Sequence, residues 1–199
     1  MWASVREELT RELGGRWRAG AQVEMMGMSS HEWSRYMRDQ LGVPMEPQEI
    51  SAAVVARLEQ HYREDVPLLP HAVESVRALV QRWPLGLASS ANRPLIELAL
   101  ELTGIKELFS ATVSSEEVAR GKPEPDVYLE AARRLGAAPA LCAAVEDSTN
   151  GILSAKAAGM RVVAVPRPDF PPSPGELSRA DAVIDSLAEL GKALDRFAP

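Results

Sequence analysis

The sequence predicts an α/β fold in which a doubly wound parallel sheet follows an all-helical segment. Residues 1 to about 65 show helical patterns without a convincing strand. After His71, short apolar runs alternate with helical segments, as in a parallel sheet covered by helices. A proline cluster between Pro67 and Pro70 separates the two patterns. We therefore expect a helical domain over residues 1–68 and an α/β domain over residues 69–199.

Glycine and proline breakers divide the helical segment at Gly14-Gly15 and between Gly42 and Pro44. Ser29 or Ser30 can cap the second helix, because serine side chains accept hydrogen bonds from free amides at a helix start. The predicted helices cover residues 2–13, 31–41 and 47–62.

In the α/β segment, apolar runs too short for helices predict strands, and the periodic stretches between them predict helices. Strands are predicted at 85–88, 111–113, 141–145, 161–165 and 182–184. Helices are predicted at 72–82, 94–102, 126–135 and 149–158, with a further helix closing the chain.

Composition excludes several classes of protein. An apolar fraction of 46% and a charged fraction of 25% are typical of a soluble globular chain. A net charge of -6 without a basic run argues against a nucleic-acid partner. No window reaches the ~20 apolar residues that span a bilayer, and the first residues do not resemble a signal peptide. We expect a cytoplasmic protein without a nucleic-acid or membrane partner.

Polar residues directly follow three predicted strands, and ligands bind at the carboxyl ends of strands in open parallel sheets. The first cluster contains Ser89, Ser90 and Asn92, just before a helix that begins near Pro94. Free amides at the helix start and the Ser89 hydroxyl could bind a phosphate group. The alternative is a simple helix cap made of serine and asparagine.

The second cluster places Lys122 in a loop between Gly121 and Pro123. Proline restricts the backbone before it, so the ammonium group is expected on a stiff loop. A fixed positive charge could neutralise a phosphoryl group and a neighbouring carboxylate. The alternative is a solvated lysine in a turn.

The third cluster is the pair Glu146 and Asp147, followed by Ser148 as a helix cap. Burial and like charge both disfavour two ionised neighbours, so such a pair indicates a bound cation. Mg²⁺ prefers one or two carboxylates together with water and phosphate oxygens. Acids also favour helix N-termini, but that effect explains one acid better than two.

The order of hydroxyl, lysine and acid pair resembles the second, third and fourth motifs of the haloacid dehalogenase (HAD) superfamily. The matching stretches are residues 85–92, 121–126 and 145–152. Upstream, residues 26–30 and the helices around them resemble the small cap of the phosphoglycolate phosphatase and β-phosphoglucomutase branch. The resemblance implies a HAD-like core, similar to a Rossmann fold, with a helical cap.

The resemblance also implies a magnesium-dependent phosphatase that acts on a small phosphorylated metabolite through an aspartyl-phosphate intermediate. Ser89 would hydrogen-bond the phosphoryl group, and Ser90 and Asn92 would assist. Lys122 would steady the nucleophile and the phosphoryl group, and Asp147 with Glu146 would hold Mg²⁺. We expect a monomer or a weak dimer.

The family reaction needs a nucleophilic aspartate in a pattern close to Asp-x-Asp-Gly after the first strand. The sequence contains no such stretch, and its first aspartate, Asp39, lies in a polar predicted helix. Because the first residues resemble the first cap helix, we expect that the first motif and the central strand are missing. The 199-residue chain would then be inactive and poorly stable, since the loss leaves unpaired backbone groups.

Four alternatives remain. A haloacid dehalogenase proper shares the fold but needs no magnesium, so it is disfavoured by the pair Glu146 and Asp147. A sugar phosphomutase is disfavoured because that branch carries an arginine and a lysine near the positions of Ser30 and Met26. A catalytically inactive binding or structural protein with the same fold is disfavoured by the presence of Lys122 and the acid pair. A receiver domain would have the acid pair first and the lysine last.

Overall fold

The computed structural model describes residues 1–197. The first part of the chain is helical, and three of its four helices match the predicted ones. These helices are α1 (Trp2–Glu12), α2 (Ala21–Met25), α3 (Ser30–Asp39) and α4 (Pro47–Glu64).

Local sequence explains where these helices begin. The Ser29 hydroxyl caps α3, and Glu32 completes a capping box with it. Pro47 occupies the first turn of α4, where its missing N–H costs no hydrogen bond. The short helix α2 was not predicted, because it has five residues and follows Gly20 in the left-handed conformation.

The four helices bury one apolar cluster, which includes Trp33, Met37, Ile50 and Leu58. This cluster continues onto residues of the α/β part, Leu95 among them. The helical part is therefore packed directly against the rest of the molecule. The division at residue 68 stays a prediction, although the change from helical to mixed structure falls near it.

The second part alternates helices and parallel strands. Its elements are α5 (Ala72–Leu79), β1 (Leu85–Ser89), α6 (Arg93–Thr103), β2 (Phe109–Ser114), α7 (Asp126–Leu135), β3 (Ala143–Glu146), α8 (Thr149–Ala157), β4 (Arg161–Ala164), α9 (Pro174–Leu177), β5 (Ala182–Val183) and α10 (Leu190–Asp195). The five predicted strands and the parallel α/β class are confirmed. None of the helices within residues 1–197 combines the length and hydrophobicity needed to cross a bilayer.

The strands form two sheets within the described residues. Strand β1 pairs with β2, and β3 pairs with β4, which also pairs with β5; all pairings are parallel. Among residues 1–197, no strand pairs with the remaining edge of β1 or with the remaining edge of β3. A single continuous sheet is therefore absent from this part of the chain.

Several predicted boundaries were wrong by a few residues. The strand predicted at 141–145 begins at Ala143, because Pro139 to Leu141 form a turn of 3₁₀-helix. Proline fixes its own backbone angle and favours the first position of such a turn. Leu141 is 86% exposed as a result, although its apolar surroundings predicted a buried strand residue.

Candidate active site

A buried lysine and a buried glutamate form the centre of the candidate site. Lys122 Nζ donates to Glu146 Oε1 at 2.5 Å and to the backbone oxygen of Ala88 at 3.2 Å. Lys122 is 8% exposed and Glu146 is 7% exposed, so water screens their attraction poorly. Since Ala88 belongs to β1 and Glu146 ends β3, the ammonium group links the two sheets.

Tyr128, in the first turns of α7, donates its hydroxyl to the same Glu146 oxygen and lies under the ammonium group. Lys122 Nζ is 4.7 Å from the centre of the Tyr128 ring. Burial and the neighbouring Glu146 carboxylate raise the pKa of Tyr128 well above its usual value, so the phenol keeps its proton. Tyr128 was not predicted as a site residue, although it follows Lys122 by six residues and lies in the first turn of a predicted helix.

The loop that carries Lys122 is fixed to α8. Ser154 Oγ donates to the backbone oxygen of Glu124 at 2.6 Å. A side chain at Gly121 would overlap Ser29 and Glu32 of the helical part, so glycine permits a close approach there. The loop thus holds the lysine in place and contacts both parts of the molecule.

The second carboxylate, Asp147, faces a different environment from Glu146. Its side chain is 35% exposed, and Arg167 Nη1 lies 3.9 Å from its Oδ2. Burial and then the charge of Glu146 raise the pKa of Asp147, and the positive charges of Arg167 and Lys122 oppose this. A cation near Asp147 would relieve that unfavourable burial of charge.

The two acids provide oxygen ligands of the kind that Mg²⁺ prefers, but they differ in availability. Glu146 Oε1 accepts from Lys122 and Tyr128, and its Oε2 accepts from Ser148 Oγ at 3.3 Å. Glu146 would have to exchange one of these hydrogen bonds to bind an ion, whereas Asp147 would not. Across residues 1–197, no three His, Cys, Asp or Glu side chains gather as a metal site. The residues present therefore fit an ion held chiefly by Asp147 and completed by water and phosphate.

The polar side chains that follow β1 make two different kinds of contact. Ser89 Oγ accepts from the Ala91 amide at 3.1 Å and can still donate its own proton. Ser90 Oγ donates to the Gly27 oxygen of the helical part at 2.9 Å. Asn92 Nδ2 donates to Ser51 and to Glu116 rather than capping α6. The structure therefore brings Ser89 close to Lys122 through Ala88, while Ser90 and Asn92 contact the helices.

The segment between α2 and α3 covers this edge of the α/β part. Asn150 Nδ2 donates to the Met26 oxygen at 2.5 Å, and a side chain at Gly27 would overlap Asn150. Gly27 has a positive φ of 86°, which glycine adopts at little cost. The segment between α2 and α3 thus contacts the start of α8, just after the pair Glu146 and Asp147.

Comparison with known proteins decides the family. The model of the haloacid dehalogenase-like hydrolases matches residues 5–159. The chain belongs to this family. The predicted family and the α/β fold class are therefore confirmed.

Relatives of this HAD-like hydrolase include phosphatases. It is 38% identical to hexitol phosphatase B of Escherichia coli K12 over 144 residues, 72% of this chain and 64% of that protein. It is 34% identical to the bifunctional riboflavin kinase/FMN phosphatase of Arabidopsis thaliana over 89% of this chain and 46% of that protein. The chain thus spans less than two thirds of the length of these relatives.

Solved structures of the family show the same fold. CbbY from Rhodobacter sphaeroides in complex with phosphate superposes with a TM-score of 0.82 at 26% identity, over 96% of this chain and 88% of that chain. The β-phosphoglucomutase of Clostridium difficile superposes with a TM-score of 0.83 at 20% identity, over 98% and 88% of the two chains. At this identity the second comparison bears on the fold alone.

Proposed function

We propose that this protein is a magnesium-dependent phosphatase that hydrolyses a small phosphorylated metabolite through an aspartyl-phosphate intermediate. The main support for the proposal is that Lys122, the pair Glu146 and Asp147, and the Ser89 loop lie together at one edge of the fold. The names of the relatives, hexitol phosphatase and FMN phosphatase, support the same reaction class.

Each residue has a role that its environment supports. Lys122 would neutralise charge on the phosphoryl group, since its ammonium is buried and fixed. Ser89 would donate its hydroxyl proton to a phosphoryl oxygen, with Ser90 and Asn92 holding the loop against the helices. Asp147 would hold Mg²⁺ with Glu146 as its neighbour, and the ion would supply charge stabilisation for the phosphate oxygens.

The proposed intermediate also needs a nucleophilic aspartate beside Lys122. We propose that it comes from a strand between β1 and β3, because both facing edges lack a strand partner within residues 1–197 while Lys122 connects them. Such a strand would pair both edges and bring its last side chain to the lysine. On this basis we expect the 199 residues alone to hydrolyse phosphate esters poorly.

Release of inorganic phosphate from a panel of sugar and polyol monophosphates tests the proposal. The assay compares the 199-residue chain with the same chain preceded by an apolar strand ending in Asp-x-Asp-Gly, with Mg²⁺ and with EDTA. We expect hydrolysis by the longer chain that requires Mg²⁺ and is lost in Lys122→Ala. Lys192→Ala is the matched control, because Lys192 is an exposed lysine on α10.

The outcomes separate the parts of the proposal. Full activity of the 199-residue chain would rule out the added strand as the source of the nucleophile while supporting the phosphatase. Absence of hydrolysis by both chains across the panel would refute the phosphatase and favour a binding protein with this fold.

A further inference from the structure

Arg167 places a positive charge beside the proposed metal ligand Asp147. It follows the end of β4, where Ala164 pairs with Glu146 of β3, so both side chains lie at the carboxyl ends of these strands. Arg167 Nη1 is 3.9 Å from Asp147 Oδ2, and Nη2 is 3.7 Å from Asp169 Oδ2. Both distances exceed the length of a hydrogen bond, about 3 Å, so charge alone holds the guanidinium between the two carboxylates.

The segment that carries Arg167 is fixed at both ends. It connects β4 to α9, and Pro166 and Pro168 restrict the backbone on either side of the arginine. At its far end, Thr149 Oγ1 in the first turn of α8 donates to Glu176 Oε2 of α9 at 2.9 Å. The backbone therefore keeps Arg167 beside the site, while its side chain, which is 40% exposed, is free to turn.

A divalent cation on Asp147 would repel this guanidinium. Mg²⁺ binds carboxylate oxygens at about 2.1 Å, so an ion on Asp147 Oδ2 would lie within about 6 Å of Arg167 Nη1 from whichever side it approached the oxygen. Like charges repel at this separation, and the partial burial of Asp147 weakens the screening by water. Binding of the ion and the contact between Arg167 and Asp147 therefore oppose each other.

Asp169 offers the guanidinium a second position. Its side chain is 71% exposed, and it already lies as close to Arg167 as Asp147 does. A rotation of the Arg167 side chain away from Asp147 would shorten the ion pair with Asp169 and release the Asp147 carboxylate. The ion pair that is lost would thus be partly replaced by the one that is gained.

We propose that Arg167 is a displaceable counterion of Asp147 and sets the affinity of the site for its divalent cation. Before the ion binds, the guanidinium neutralises the Asp147 carboxylate; after it binds, the guanidinium pairs with Asp169. Arg167 is a positioning residue in this scheme, because it acts on the ion through Asp147. The inference rests on the proposed magnesium-dependent function of the same site.

Titration with Mn²⁺, followed by electron paramagnetic resonance of the free ion, tests the proposal on the 199-residue chain without requiring turnover. Mn²⁺ prefers the same oxygen ligands as Mg²⁺. We expect Arg167→Ala to bind Mn²⁺ about fivefold more tightly than the wild type, because it removes one competing ion pair of the strength usual for partly exposed groups. Asp169→Asn should bind Mn²⁺ about twofold more weakly, because Arg167 then has Asp147 as its remaining partner.

A double variant distinguishes displacement from a general effect of charge. If Asp169 acts through Arg167, Asp169→Asn should leave the Mn²⁺ affinity unchanged in the Arg167→Ala background. An equal weakening in both backgrounds would mean that Asp169 attracts the ion directly, and the displacement would be overturned. Arg179→Ala is the matched control, because Arg179 is exposed and follows α9, and its replacement changes the net charge equally. It should leave the affinity unchanged.

A last variant, Asp147→Asn, separates this inference from the proposed function. If Asp147→Asn loses Mn²⁺ binding but Arg167→Ala binds Mn²⁺ as the wild type does, the role of Arg167 is overturned and the magnesium-dependent function stands. If the wild type does not bind Mn²⁺, or if Asp147→Asn binds it equally well, the metal site at Asp147 is overturned and the role of Arg167 with it.

Discussion

Replacement of Gly151 by alanine tests whether the position of the Glu146 carboxylate holds the site together. Gly151 lies in the first turn of α8, and a Cβ built on it would overlap the carboxyl group of Glu146. That carboxyl group cannot move freely, because Lys122, Tyr128 and Ser148 all donate to it. Alanine would therefore displace the carboxylate and leave the buried ammonium of Lys122 without its partner.

The expected cost follows from the burial of both charges. Removing one partner of a buried ion pair typically costs about 3–5 kcal/mol, because the other charge stays desolvated. Some rearrangement of the Glu146 side chain is possible, so we expect a loss of about 3 kcal/mol in the free energy of unfolding of Gly151→Ala, at the low end of that range. Urea unfolding, monitored by tryptophan fluorescence, measures this loss of stability.

Gly191→Ala is the matched control. Gly191 lies in α10, and a Cβ there meets no atom of residues 1–197 within 4 Å. Alanine at this position should leave stability unchanged or raise it by up to ~1 kcal/mol, because it restricts the unfolded chain. A loss below about 1 kcal/mol in Gly151→Ala would refute the argument that Glu146 is held rigidly by its partners.

Two further changes test a hydrogen bond within the site and an ion pair outside it. Tyr128→Phe removes one donor to the Glu146 carboxylate and should lower the free energy of unfolding by about 1.5–3 kcal/mol. This loss would lower the urea concentration at the unfolding midpoint, and an unchanged midpoint would show that the hydrogen bond does not contribute to stability. Glu117 is partly buried, which raises its pKa, but two arginines and a backbone amide outweigh this and lower the pKa from 4.5 to about 2. The folded pKa lies below the unfolded one, so the stabilisation is present above pH 4.5 and is lost as the pH falls toward 2. As the pH falls from 4.5 to about 2, the difference in Tm between the wild type and Glu117→Gln should therefore shrink. A difference that stays constant would be evidence against the lowered pKa of Glu117.

Most of the fold could be predicted from the sequence because most of its elements have a local signal. Alternating apolar runs and helical stretches predicted all five strands, and Pro47 and Ser29 marked helix starts correctly. The errors occurred where a few residues decide the conformation, as at α2 and at the turn after Pro139. The separation into two sheets depends on pairing between distant residues, which a local pattern does not contain.

The candidate site was predicted in part for a similar reason. Ser89, Lys122 and the acid pair follow strands, so their position at one edge could be deduced from the parallel sheet. Tyr128 and Glu116 act through contacts that depend on how α7 and the loop after β2 pack. The different environments of the two adjacent acids could not be deduced either, because they depend on which side of β3 faces Lys122.

The contacts of Lys122 connect stability to the proposed chemistry. The ammonium that would neutralise a phosphoryl group also joins β1 to β3 through Ala88 and Glu146, where no strand of residues 1–197 fills the interval between the sheets. A loss of activity in a Lys122 variant would therefore not by itself identify a catalytic role. Lys122→Arg separates the two contributions, since it keeps a positive charge for the glutamate but places it in a longer, planar group. A variant that unfolds like the wild type and no longer binds inorganic phosphate would show that the position of the ammonium, and not merely the link between the sheets, is what the site requires.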